Sequence, residues 1–319
     1  MTLRLTGIHH VSALTNDIAG NHDFYTRVMG LRLVKKTVNQ DDTSMYHLFY
    51  ADAVGSPGSD MTFFDMPRAA REHKGNRSIS RTTFRLNGES SLEYWAARLT
   101  DHDVDHSGVI TRDGRLHLDF DDPDGLPVSL VDDGGVGDAH PWHGSPVPAE
   151  HQLRGLGYSA ITVPELDPTH DFLTGVLNLE ADRTYPHPDA PEHQVHVYRM
   201  DAEGPAAEVH VAVRPGLPNA RYGSGGVHHV ALRVPDYEQY HRWTERLERT
   251  GMYFSGEVDR YYFRSLYVRE PGGILFELAT DGPGFHSDEP MDRLGETLAL
   301  PPFLAGRRSE IEAGLRPIG

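Results

Sequence analysis

Gly226-Val227-His228-His229-Val230-Ala231 and, far upstream, Gly7-Ile8-His9-His10-Val11-Ser12 are two versions of one segment. Each sets a pair of histidines at the start of a run in which apolar residues alternate with others, the pattern of a strand with a buried face. Even in a chain with 20 histidines, two such openings point to a repeated module. Working outward from the first copy, residues 5–15 form a strand and residues 17–29 a helix, with Asp17 as its N-cap and Gly30 just past its end. Three short strands follow, within 31–40, 44–52 and 59–67, separated by turn residues such as Gly55-Ser56-Pro57-Gly58. Strand, helix and three strands make one unit.

The pattern recurs. A second unit has a strand over 78–86, a helix over 91–101, and strands within 115–133 around an Asp-Pro-Asp-Gly turn. A third opens at Gly155-Leu156-Gly157-Tyr158, runs through a helix over 168–179, and continues in strands over 193–200 and 206–213. The fourth opens on the second histidine pair, with a helix over 236–251 and strands within 261–280. The starts are spaced by roughly 70–75 residues, a period that fits a βαβββ unit. A helix on one face of such a sheet leaves the other face to be buried, so the units should pair into barrel-like bodies.

The expected fold is therefore α+β, with four βαβββ modules paired into two barrel-like bodies. The N-terminal half is residues 1–133, with modules at about 5–68 and 77–133. A linker at 134–153, rich in Gly, Pro and His, leads to a C-terminal half at 154–283 with modules at about 154–215 and 225–283. Residues 284–319 fit no module and read as a terminal helix or lid.

Composition narrows the function. With 319 residues, 38% hydrophobic and 24% charged, the chain is of the soluble globular kind and long enough for two domains. The formal net charge of −17, spread along the chain, repels phosphate backbones and argues against nucleic acid. No run of about 18 apolar residues suggests a membrane span. Met1 to Thr6 leads directly into the first strand with no room for a signal peptide, so a cytoplasmic location is expected. The absence of cysteine excludes disulfides and thiolate ligands, leaving His and carboxylate to hold any metal.

The four modules, the opening IHHV, the run FYTRVMGLRLVKKTVNQDD, the second VHHVALRVPD, and SLYVREPGGILFELATDGPGF resemble the vicinal oxygen chelate superfamily. Within it, they are most similar to ring-cleaving dioxygenases that act on hydroquinones. The resemblance spans nearly the whole chain and implies the vicinal oxygen chelate fold. It also implies one Fe(II) per chain, with Mn(II) as a conceivable substitute, held by the second histidine of each pair and a glutamate on the last strand of the final module. These are His10, His229 and Glu277.

Elementary chemistry points the same way. Two imidazoles and a carboxylate form a set that leaves positions open for substrate and oxygen. Strand alternation sends His9 and His10 to opposite sides, so only one of each pair can face a shared metal. Glu277 lies among apolar residues, where a carboxylate is costly unless paired or metal-bound. Taken singly, a strand histidine is more often structural, and Glu277 could face water at an edge. The resemblance also places His9 and His228 behind the ligands, Ser12 at a small hydroxyl position, and Arg260 and Tyr267 near the substrate. Without it, an Arg and a Tyr in this run would read as surface ion pair and core.

Modules two and three are an internal control. Alignment puts Ser129 where Glu277 stands and Tyr158 where His229 stands. Since His10 comes from module one and the other two ligands from module four, modules one and four should share a barrel, leaving two and three metal-free. The implied function is an Fe(II)-dependent extradiol-type dioxygenase cleaving substituted hydroquinones with O2, in aromatic catabolism. Its partners are a small aromatic substrate and O2, with homo-oligomer formation left open. The alternatives are a glyoxalase-like isomerase or thiol transferase, which would want a fourth ligand that module one lacks in MTFFDMP, and a metal-free binding protein.

Overall fold

The computed structural model describes residues 3–318. Module one is β1 (Ile8–Thr15), α1 (Ile18–Asp23), β2 (Arg32–Val38), β3 (Tyr46–Ala51) and β4 (Asp60–Asp65). Module two is β5 (Ser78–Leu86), α2 (Glu89–Asp101), β6 (His106–Arg112), β7 (Arg115–Asp121) and β8 (Pro127–Asp132). Module three is β9 (Leu156–Val163), α3 (Asp167–Asp171), β10 (Glu180–His187), β11 (Ala190–Arg199) and β12 (Glu208–Val213). Module four is β13 (Val227–Val234), α4 (Tyr237–Thr250), β14 (Val258–Asp259), β15 (Arg264–Arg269) and β16 (Leu275–Thr280).

The strands form two eight-stranded sheets, ordered β14-β15-β16-β13-β1-β4-β3-β2 and β10-β11-β12-β9-β5-β8-β7-β6. Modules one and four thus share the first sheet through the antiparallel pair β1–β13, and modules two and three share the second through β5–β9. Each barrel takes one module from each half of the chain. The structure departs from the expected strand list at β6, β10 and β14, three of the four sheet edges. Their physical reason is exposure: β10 alternates exposed and half-buried residues along EADRTYPH and lacks an apolar face to read.

The helices tie modules the other way, within each half. Both α1 and α3 run on into a single π turn, over Phe24–Val28 and Phe172–Val176. The last carbonyls of each are taken up by an arginine of the next module's helix. Arg98 of α2 donates to Val28 O at 2.8 Å and Arg27 O at 2.6 Å. Arg246 of α4 donates to Val176 O at 2.7 Å and Gly175 O at 2.6 Å. Fully buried Trp95 and Trp243 lie under these guanidinium groups. Paired helices within halves and paired sheets across halves lock the four modules around one continuous apolar core.

The residues after module four form 3-10 turns and α5 (Arg308–Gly314). They strap across the open side of the first barrel, between its edges. Lys35 of β2, fully buried, donates to Phe285 O at 3.0 Å and Asp288 Oδ1 at 2.7 Å, and also pairs with Glu289. Tyr262, beside β15, donates to Asp288 Oδ2 at 2.8 Å. Among the described residues no helix is long and apolar enough to cross a membrane.

Candidate metal centre

His10 on β1, His229 on β13 and Glu277 on β16 meet in the first barrel, all three buried. Register explains the meeting. Ser12 pairs with His229 across the central antiparallel seam, and Ala231 pairs with Glu277 on the next strand. The three ligand-type atoms form a small triangle: His10 Nε2 to His229 Nε2 is 3.2 Å, His10 Nε2 to Glu277 Oε2 is 3.3 Å, and His229 Nε2 to Glu277 Oε2 is 2.9 Å.

These residues fit a metal ion. Bonds of about 2.1 Å at right angles would separate neighbouring ligand atoms by about 3.0 Å. Glu277 Oε2 is buried and, despite its short distances to the rings, has no hydrogen bond of acceptable geometry, as expected of an oxygen whose partner is a cation. Its other oxygen accepts from Ser265 Oγ, fixing the carboxylate. Burial would raise the Glu277 pKa, but His10 and His229 beside it more than offset this and hold it well below the usual carboxylate range. His229 is lowered chiefly by burial.

One expectation is overturned. His9 and His10 do not point to opposite sides of the strand, and neither do His228 and His229. The β1–β13 register slips between Ile8 and His10 and again between Ser12 and Ala13, so His9 and His228 are the extra residues of two β-bulges. A bulge turns successive side chains toward one side and often sits beside an active site. The rings consequently touch, His9 Nδ1 lying 2.9 Å from His10 Nδ1 and His228 Nδ1 2.8 Å from His229 Nδ1. Burial, then His10, pushes His9 down to about 3. Burial and His229 push His228 down to about 3 as well, although its exposed ring lets water relieve part of that effect.

A cavity of about 480 Å³ opens on the triad, lined by apolar residues including Leu14, Phe49, Phe64 and Met66 and by His228, Arg260 and Tyr267. Tyr267 pairs directly with Glu277 across the β15–β16 hairpin. Arg260 donates from Nε to the Tyr267 oxygen at 3.2 Å and reaches across to Asp41 Oδ2 at 2.9 Å, joining the two edges of the barrel at the rim. Burial raises the Tyr267 pKa, so its hydroxyl stays protonated at neutral pH. Ser12 is fully buried and bonds Thr62 Oγ1 at 2.7 Å.

Two neighbours of the site lie outside the expected set. Thr62 on β4 pairs with Ser12 as Glu277 pairs with Ala231, so it stands at the pseudo-equivalent of the glutamate. His47 on β3 holds it, Nε2 to Thr62 Oγ1 at 2.9 Å, and lines the cavity. A histidine inside the apolar strand YHLFYA is the signal that could have found it. A second acidic and histidine group, Asp113, Glu208 and His210, is present in the other barrel. Its carboxylates are already neutralised: Arg115 grips Glu208 at 2.7 and 2.8 Å, and Arg183 pairs with both Asp113 and Glu208. That is an ion-pair network with no need of a metal.

Paired βαβββ modules with a two-histidine, one-carboxylate cluster facing an apolar cavity define a class of metal-dependent proteins acting on small molecules. The chain belongs to the Glyoxalase/Bleomycin resistance protein/Dioxygenase superfamily, whose profile matches residues 7–130 and 155–278. It is 48% identical over 318 residues to "Putative ring-cleaving dioxygenase MhqA" of Bacillus subtilis (strain 168), covering 99% of this chain and 100% of that one. It is 31% identical over 316 residues to the chlorohydroquinone/hydroquinone 1,2-dioxygenase of Sphingobium indicum, covering 97% and 95%. Among solved structures, a "putative dioxygenase" from Bacillus subtilis subsp. subtilis str. 168 superposes with a TM-score of 0.90 at 33% identity, over 100% of this chain and 99% of that one.

Proposed function

We propose that the chain is a non-haem Fe(II)-dependent dioxygenase of the extradiol type, one iron per chain, that opens the ring of substituted hydroquinones with O2. The observation that carries this reading is the triangle of two Nε2 atoms and one carboxylate oxygen beside a largely apolar cavity of small-molecule size. Two imidazoles and one carboxylate with open positions are the donor set of non-haem Fe(II) oxygenases. Fe(II) held by His10, His229 and Glu277 would supply Lewis-acid and redox chemistry toward a phenol and O2.

The protein's own groups divide the remaining work. If the Nε2 lone pairs of His10 and His229 were given to a metal, their ring protons would sit on Nδ1 and donate to the Nδ1 atoms of His9 and His228. Both partners then carry their proton on Nε2. That of His9 is donated to Thr280 O at 3.1 Å, so His9 orients its ligand and nothing more. That of His228 meets no protein acceptor among the described residues, and the ring lies on the cavity wall. His228 is therefore the group whose neutral ring can donate a hydrogen bond from Nε2 to a substrate oxygen. Tyr267, polarised by Arg260 and kept protonated, donates a hydrogen bond to an anionic oxygen of the substrate. The apolar walls exclude water from the ring.

Thr62 favours this reading over a glyoxalase-like isomerase. Where a symmetric four-ligand site would have a second carboxylate, this barrel has a hydroxyl engaged by Ser12 and His47. Oxygen uptake by Fe(II)-loaded protein tests the proposal, screened over hydroquinone, its methyl and chloro derivatives, and catechol, with a Mn(II)-loaded sample beside it. Uptake with the hydroquinones, and iron near one per chain after anaerobic purification, is expected. No uptake with any ring would sink it.

A further inference from the structure

The second barrel encloses its own cavity, about 370 Å³, bordered by all eight of its strands, in a part of the molecule to which the dioxygenase reading gives no task. Its floor is cationic. Arg81 and Arg112 share a single carboxylate, that of Asp119: Arg81 Nη1 lies 3.5 Å from Oδ1, and Arg112 donates to both oxygens, to Oδ1 at 3.3 Å. Two guanidinium groups on one carboxylate leave one positive charge uncompensated in a largely buried place, where charge is costly without a partner. Arg112 is 9% exposed, and its Nε–H is buried with no acceptor. Arg214, which follows β12 and lines the same cavity, forms no ion pair among the described residues, and its side chain hydrogen-bonds the ring of His187 at 3.3 Å.

The acidic groups of the cavity do not cancel this excess. Asp121 is bound to Lys74 at 2.8 Å. Glu72 is pushed up to about 7 by burial, so part of it is neutral near neutrality. Asp189 is exposed at the rim. Two tyrosines line the cavity among smaller apolar and hydroxyl side chains: Tyr158 stacks on His210 with ring centroids 3.8 Å apart, and the Tyr185 hydroxyl meets His210 Nδ1. Arg81 and Ser129, with Tyr158 and His210, occupy the places that His10, Thr62, His229 and Glu277 hold in the first barrel, judged by register. A guanidinium, that of Arg81, thus stands at the place of a histidine in the first barrel.

We propose that the second barrel is a binding site for a small aromatic carboxylate, held by Arg112 and Arg214 through its carboxylate and by the tyrosine walls through its ring. Guanidinium suits carboxylate through directed, charge-assisted hydrogen bonds, and the volume lies in the range of small-molecule sites. The inference is independent of the ring-cleavage reading, and either can fail alone.

The test is calorimetric titration of the full-length, metal-loaded protein with 4-hydroxybenzoate and with its neutral amide. The acid is expected to bind at a site where R112Q and R214Q each weaken it by about tenfold or more, a charge-assisted hydrogen bond lost. The amide should bind weaker by a similar factor, and dioxygen uptake in both variants should match the parent. If R112Q does not fold, R214Q decides alone, because its guanidinium holds no ion pair. No binding of the acid at about 10 mM, weaker than the ordinary range of specific ligands, would overturn the proposal. So would binding that R214Q leaves undiminished, which would place the acid at the first barrel.

Discussion

The two barrels are built on one plan and differ in what fills the centre. Both are eight-stranded, both join two modules through a central antiparallel seam, and both carry bulges there: His9 and His228 in the first, Ser80 and the region of Tyr158 in the second. In the first barrel the side chains at the seam leave a carboxylate oxygen without a hydrogen bond beside two imidazoles. In the second, the equivalent positions find protein partners, Arg81 donating to Ser129 at 3.1 Å and Tyr158 bonding His117 at 3.1 Å. The fold therefore supplies the meeting point, and four residue choices decide whether imidazoles and a carboxylate or a guanidinium and hydroxyls gather there.

The comparison breaks most visibly if a ligand is removed. H229A and E277A should lose bound metal and turnover together, beyond the roughly 10–100-fold that outer partners cost. R81Q in the second barrel should keep both, as metal analysis and oxygen uptake would show. A ligand variant retaining full metal and activity would mean that the triangle is only a buried polar cluster.

Adding a ligand probes the same boundary from the other side. T62E places a carboxylate at the pseudo-equivalent of Glu277 and would make the first barrel symmetric, with four donors. We expect metal to be retained while ring cleavage falls by at least about tenfold, since a protein oxygen would take a position that substrate needs. Unchanged turnover with full metal would show that Thr62 does not face the metal.

A finer division lies within each histidine pair. H228N should lower kcat by roughly 10–100-fold with metal content intact, because the ring that can reach substrate is lost. H9N should act mainly on metal affinity, since His9 ends on the Thr280 carbonyl and only steadies His10. Metal titration alongside steady-state kinetics separates the two outcomes, and equal effects on kcat would remove the asymmetry.

Much of this could be read from the chain. The HH openings, the apolar run around Glu277 and the missing ligands at Ser129 and Tyr158 together require modules one and four to share a barrel, which the sheet order shows. The bulges could not be read, because a bulge is a property of two strands in register and one strand's alternation suggests a regular ladder. Regular alternation puts His9 and His228 on the far side of their strands, whereas the bulges bring them against His10 and His229. The edge strands β6, β10 and β14 were hidden by their exposure. Thr62 and His47 escaped because their importance depends on cross-strand pairing with Ser12. The Arg81–Asp119–Arg112 cluster escaped likewise, since three separate strands contribute to it.

The smallest effect on turnover, and the one that isolates the second barrel, concerns acid stability. Burial would raise the Glu208 carboxyl, but Arg115, His210 and Arg183 outweigh it and hold the group well below its ordinary range. A carboxylate with a folded pKa below its unfolded value contributes stability that is present above the unfolded pKa, about 4.3, and disappears as pH falls through the folded one. In that window the unfolded chain binds the extra proton. E208Q should thus cost on the order of 3 kcal/mol at pH 7, as for a broken buried ion pair, and progressively less below about pH 4. Denaturant unfolding of both proteins at neutral and acid pH measures the converging difference. Turnover of the folded variant at pH 7 should stay that of the parent, because Glu208 belongs to the barrel without the metal triangle. A difference that stayed constant with pH would mean that the Glu208 network stabilises by packing, and that charge is not what closes the second barrel.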